Sequence, residues 1–125
     1  MSNPIVYVDS SKIREGKLDK LKMATKDLAA FVEANMPRIL SYAFFLNDDQ
    51  TQMTVVAIHP DSASLEFHLD TGAVEFRKFA TLLDLLKIDV YGRVSESVIS
   101  RLEEKAEALG SGTLTIHEFY AGFTR

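Results

Sequence analysis

The sequence is most constrained where a β-branched run meets a proline, in VVAIHPDSASLEFHL, Val55 to Leu69. Val55, Val56 and Ile58 favour an extended strand, because branching at Cβ stiffens χ1 and packs well on a pleated surface. Pro60 has no N–H to give a ladder, and Asp61 or Ser62 offers an oxygen to the free N–H groups at a helix start. A strand over Gln52–His59 therefore feeds a helix beginning near Ser62. The same signals, followed outward, divide the rest of the chain.

Upstream, Ile5–Val8 is apolar and β-prone, bounded by Pro4 and by Asp9, Ser10 and Ser11, and predicts a first strand. From Glu15 to Met36, Leu18, Leu21, Leu28, Val32 and Met36 recur at helical steps on one side, with lysines and acids on the other. Pro37 ends this helix, since its ring blocks the next turn and the residue before it is pushed out of helical geometry. Ile39–Leu46 and Gln52–His59 predict two antiparallel strands joined through Asn47, Asp48, Asp49, Gln50 and Thr51. Leu40, Tyr42, Phe44 and Leu46 share one face, while Ile39, Ala43 and Phe45 share the other. Helices on one side would leave the second apolar face in water. A second copy of the chain is the economical cover, so a homodimer packed sheet against sheet is expected.

Downstream, Gly72 divides a short helix, Ser62–Asp70, from a longer one, Val74–Leu86, whose Phe76, Phe79, Leu82, Leu83 and Leu86 share a face. Ile88, Val90 and Tyr91 make a brief apolar stretch ending at Gly92. Ser95 caps a helix with Val98, Ile99, Leu102, Ala106 and Leu109 on one side, and Gly110 stands where a left-handed C-terminal residue is wanted. A last strand runs from Thr113 to Tyr120, and Tyr120 and Phe123 near the terminus suggest docking. The order is strand, helix, two strands, helices, strand. It predicts one α+β domain over 1–125, a ferredoxin-like antiparallel sheet with helices on one face.

Composition narrows the function. The 125 residues, 46% of them hydrophobic, suffice for one real core. No long apolar run and no leader pattern are present, so neither a membrane partner nor a signal peptide is expected and a cytoplasmic protein is. The absence of cysteine excludes disulfides and thiol chemistry. A net charge of −4 argues against nucleic acid. The basic run from Lys12 to Lys26 is interleaved with Glu15 and Asp19, as on a solvated helix face. No G-x-S-x-G elbow or glycine-rich phosphate loop occurs. The three histidines, spaced nine and forty-nine residues apart, match no compact metal motif, so no metal is expected.

The stretch HPDSASLEFHLDTGAVEFRKFATLLDLL, following a strand in this element order, resembles the antibiotic biosynthesis monooxygenase-like family of dimeric α+β barrel proteins. The likeness covers about residues 4 to 86 and the final strand, and rests on Phe67, His68, Phe76 and Phe79. It implies a dimeric α+β barrel and the cofactor-independent oxygenation of a small phenolic or quinone-like compound. Without tryptophan, and without a histidine near Lys78 and Phe79, the haem-degrading branch of that family is not implied.

His59, His68 and His117 are the side chains whose ordinary pKa suits proton transfer near neutral pH. His68, on a helix able to lean over the sheet, is the candidate acid/base, against a structural histidine bonded to backbone. His59 before Pro60 reads as a turn contact, and His117 lies in the last strand beside Thr115. Tyr7, Tyr42, Phe44, Tyr91 and His117 are the candidate ligand-binding residues, against the plainer reading of aromatic core. Two functions follow. One is a cofactor-free oxygenase using His68; the other is a non-catalytic dimeric module that binds a small ligand or serves under stress.

Overall fold

A computed structural model describes residues 3–125 as a mixed five-stranded sheet with three helices on one face. In chain order the elements are β1 (Ile5–Ile13), α1 (Leu18–Asn35), β2 (Ser41–Leu46), β3 (Gln52–His59), α2 (Ser62–Arg77), β4 (Leu83–Tyr91), α3 (Glu96–Leu109) and β5 (Gly110–His117). The strand order is β2-β3-β1-β4-β5. β1 pairs antiparallel with β3 and β4, β2 with β3, and β5 joins parallel to β4. The first four strands with α1 and α2 form the ferredoxin-like unit, and α3–β5 extends it.

Burial alternates along the central strands. Ile5, Tyr7, Asp9, Ser11 and Ile13 of β1, and Met53, Val55, Ala57 and His59 of β3, are buried beneath the helices. Val6, Val8, Val56 and Ile58 point to the open face, joined there by Ala43 and Phe45 of β2. Both faces are thus apolar at the centre, as the sequence predicts.

Four expectations are corrected. First, β1 does not stop at Val8: as a central strand it bonds to neighbours on both edges as far as Ile13, so Asp9 and Ser11 are strand residues facing inward.

Second, α2 runs unbroken through Gly72 to Arg77, and a 3-10 turn at Lys78–Thr81 ends it. The glycine lets the Phe76 ring pack against the helix; a Cβ would come 2.4 Å from Phe76 Cζ and push the ring aside.

Third, the leucines assigned to the end of a helix belong to β4. Leu83 and Leu85, then Ile88 and Val90, face the helices, and the register slips between the two pairs, leaving Leu86 as an exposed bulge residue. That slip breaks the period of two and mimics helical spacing. It also makes β4 the fourth ferredoxin strand, so the sheet is mixed rather than purely antiparallel.

Fourth, Gly110 is extended (φ 161°) and opens β5; its missing side chain matters because a Cβ would sit 2.7 Å from the Leu85 backbone. The strand accordingly ends at His117, and the segment after it, with Phe119, Tyr120 and Phe123, is exposed and irregular.

The caps are as the sequence requires. Asp61 accepts from the Ser64 N–H at 2.9 Å, and Ser95 from the Val98 N–H at 3.2 Å. No helix among the described residues is long and apolar enough to cross a membrane.

Candidate active site

The period of β1 aims Tyr7 and Asp9 at the helix layer, where they are only 2% and 4% exposed. The Tyr7 hydroxyl donates to Asp9 Oδ2. Lys105 reaches them from α3, placing Nζ 2.8 Å from the Tyr7 oxygen and 3.4 Å from Asp9 Oδ2. It points inward because it shares the stripe Val98, Leu102, Lys105, Leu109, at steps of four, three and four, whose other members are buried. The Tyr7 and Phe76 rings flank its ammonium, with centroids 4.8 and 4.6 Å away.

Burial pushes the Tyr7 hydroxyl well above its ordinary pKa, and the Asp9 charge, the Asp9 hydrogen bond and Tyr42 add to the rise. Tyr42 is raised by burial and then by Asp9. Both phenols therefore keep their protons. Taking a carboxylate and an ammonium out of water costs several kcal/mol each, and a well-packed apolar pair would be as stable. Stability alone does not account for the Asp9–Lys105 pair, which makes this cluster the candidate site.

A cavity of about 30 Å³ lies beside this pair, lined by Asp9, Ser11, Tyr42, Phe44, Val55 and Phe76 among others. That is room for a water or two, not for an aromatic substrate. On the far side of Phe76, Lys105 and Leu109, which line both spaces, a groove of about 200 Å³ runs between α2 and α3. It is open at a rim carrying Asp70, Arg77, Arg101 and Glu104. Arg101 ties α3 to α2 through Asp70, with Nη2 3.3 Å from Oδ2.

His68 is 2% exposed and sits behind Phe76, its ring centroid 5.0 Å away. Its Nδ1 is 2.9 Å from Met36 Sδ, and the rings of Tyr42 and His59 each lie 5.2 Å from it. Burial, then the Lys105 and His59 charges, hold it well below the ordinary histidine range. His59 is fully buried with Nδ1 2.9 Å from Ser64 Oγ, the contact with the strand-to-helix turn that the sequence predicts, and with Nε2 unpartnered. Burial lowers its pKa to about 4, against a small opposing effect of Asp61. Neither histidine lines the cavity.

The candidate residues thus separate into two sets. Tyr7, Tyr42 and Phe44 converge on the interior, where Tyr42 and Phe44 meet edge to face at 5.1 Å, and His68 stands behind the Phe76 wall. Tyr91 and His117 belong to the open face. Their rings stack at 4.4 Å, and His117 Nε2 lies 2.9 Å from Asp89 Oδ1. They line a separate surface hollow of about 290 Å³ with Val6 and Phe119.

Sequence reasoning missed Asp9 and Lys105. The available signals were a carboxylate at the same strand parity as Ile5 and Tyr7, and a lysine on the apolar stripe of a helix. Among the described residues, no three histidine or carboxylate side chains converge as a metal site.

No protein-family model and no curated protein matches the sequence. Solved structures do match. MupZ from Pseudomonas fluorescens aligns over 100% of this chain and 91% of its own, with a TM-score of 0.76 and 19% identity. SnoaB from Streptomyces nogalater, a cofactor-independent oxygenase, aligns over 75% and 96% with a TM-score of 0.64 and 12% identity. A provisionally named antibiotic biosynthesis monooxygenase from Caulobacter crescentus aligns over 75% and 92% with a TM-score of 0.66 and 20% identity. These likenesses show the fold: the chain has the α+β architecture of the antibiotic biosynthesis monooxygenase-like proteins.

Proposed function

We propose that the protein is a cofactor-independent oxygenase of a small phenolic or quinone-like compound, with Asp9 as the general acid–base, Lys105 as the charge that stabilises the anion, and Tyr7 positioning Asp9. The observation that carries this reading is the buried Tyr7–Asp9–Lys105 cluster beside an otherwise apolar cavity. Asp9 accepts the substrate's hydroxyl proton, and the Lys105 ammonium stabilises the phenolate, an interaction far stronger in a dry site than in water. The electron-rich anion reduces O2 itself. A new C–O bond gives a hydroperoxide, and loss of water leaves a carbonyl, with one oxygen atom in product and one in water. The proton taken by Asp9 returns to the leaving oxygen, while Tyr7 keeps its own and positions the Asp9 carboxyl through its hydrogen bond. Tyr42 and Phe44 form the apolar surface of the small cavity beside Asp9, and His68 supports the Phe76 wall from behind. SnoaB, of the same fold, is an oxygenase without a cofactor, which supports the choice of reaction.

The functional unit in this reading is a homodimer, in which the open face with Val6, Val8, Val56, Ile58 and Phe45 meets its copy. Tyr91 and His117 then lie at that interface rather than in the pocket.

The test is oxygen uptake with a panel of hydroxylated naphthalenes and anthrones. Wild type should consume O2 and form quinones, Asp9→Asn should lose about 10²-fold or more in kcat, and the double variant Asp9→Asn/Lys105→Met, which leaves no unpaired charge in the core, should lose activity while retaining its circular dichroism. No uptake with any member refutes oxygenation. The cluster itself moves protons and not electrons, which favours a second reading, an oxygen-independent isomerisation or ring closure. Turnover that persists under nitrogen would select it.

A further inference from the structure

Phe76 is a buried residue of α2 that borders two separate spaces. Its ring lies flat over Gly72, where any Cβ would be 2.4–2.9 Å from ring atoms. The Lys105 ammonium covers it at 4.6 Å, and the His68 ring borders it at 5.0 Å. It is the shared wall between the cavity of about 30 Å³ and the groove of about 200 Å³. The helices on either side are tied by Arg101 to Asp70 and Glu66, and between them the Phe76 ring, with Lys105 and Leu109, separates the two spaces. Neither space alone reaches the roughly 300 Å³ of an ordinary ligand site, and joined they come nearer to it.

We propose that Phe76 is the gate and size filter of the site. Its ring swings off Gly72, joins cavity to groove, and admits a flat phenolic molecule between α2 and α3 whose hydroxyl meets Lys105 and Asp9. The choice of a phenol rests on the oxygenase reading; the route does not. An incoming aromatic ring takes the place of the Phe76 ring and inherits its stacking under the ammonium. The same movement uncovers His68, so the histidine reaches substrate only in the open state. A glycine at position 72 is what lets the ring lie flat when closed.

A rival entrance exists at the other end of the cavity. There a hollow of about 160 Å³ at the α1–β2 edge shares Phe44 and Met53 with the interior and carries Lys26 at its rim. The two routes can be separated because the chain has no cysteine of its own. Ala108→Cys, in the groove and exposed, and Lys26→Cys, at the rival hollow, are each labelled with a bulky maleimide. Association of 2-naphthol is then followed by stopped-flow fluorescence.

Labelling Ala108→Cys should slow association about tenfold or more, while labelling Lys26→Cys leaves it unchanged. Phe76→Leu, a modest truncation, should speed association and admit 9-phenanthrol, which wild type rejects. A block at Lys26→Cys without one at Ala108→Cys overturns the route. Unchanged rates and an unchanged size limit in Phe76→Leu overturn the gate. If 2-naphthol enters by this route and no phenol is ever oxidised, the oxygenase reading fails and the gate stands. If 2-naphthol binds neither wild type nor Phe76→Leu, the gate for phenols is overturned as well.

Discussion

Acid should destabilise this fold well above the range where carboxylates titrate, because two histidines are buried as neutral rings. His59 is held at a pKa of about 4 in the folded state, against about 6.5 when unfolded. Its folded value is the lower one, so the stability it preserves is complete above pH 6.5 and falls as pH drops toward 4. Linkage makes the loss from His59 alone about 2 kcal/mol at pH 5 and about 3 kcal/mol once pH passes 4. His68 is lowered in the same direction and steepens the fall. Against a total of roughly 5–15 kcal/mol, this is a large fraction. Asp49 and Asp61 also have lowered values, so their contributions are lost only below the ordinary carboxylate range and do not blur the window. Urea unfolding at steps from pH 7.5 to 4.5 measures the effect. In His59→Gln, whose amide can still meet Ser64, the loss of stability between pH 6.5 and 5 should shrink by about 1.5 kcal/mol. Stability that is flat across that window in wild type would refute the buried neutral state of both rings.

Two further outcomes test other parts of the structure. Phe45→Asp puts a carboxylate on the open face at a residue that is 56% exposed in the single chain, so it should dissociate the proposed homodimer without unfolding the protomer. Light scattering should then report 14.0 kDa rather than twice that mass, and an unchanged dimer would show the interface to lie elsewhere. Asp61→Ala removes the α2 cap and the Arg38 partner together and should cost about 1 kcal/mol in urea unfolding, nearly all from the cap; no measurable loss would refute the capping role.

Local signals carried most of the fold. Pro60, Asp61 and Ser95 set boundaries that the structure keeps, because capping and proline sterics act within a few residues and need no tertiary context. The region from Gly72 to Tyr91 was not legible, for two nonlocal reasons. Gly72 read as a break because its compensation is the Phe76 ring above it, which only packing reveals. The leucines of β4 read as a helical stripe because the bulge at Leu86 moves the inward face by one residue midway, and a bulge is fixed by the register of neighbouring strands. Reading β4 as helix leaves β5 as the fourth strand of the unit, whereas the structure makes it a fifth, parallel to β4 at the sheet edge.

The site divides along the same line. Tyr7, Tyr42 and Phe44 could be chosen because aromatic strand residues must face some layer, yet nothing local says which face is enclosed. Tyr91 and Tyr7 both lie in central strands, but antiparallel pairing sets Tyr91 opposite Val6 and Val90 opposite Tyr7, so the two tyrosines end on opposite sides of the sheet. Asp9 and Lys105 are 96 residues apart in sequence, and each alone reads as surface charge or turn. Their strand parity and helix stripe place both in the core, and the core cannot keep one without the other. A charged residue on an apolar period is therefore the sequence sign to follow here: it demands a partner of opposite charge on a facing element, and the pair marks where the chain keeps polar chemistry inside an apolar layer.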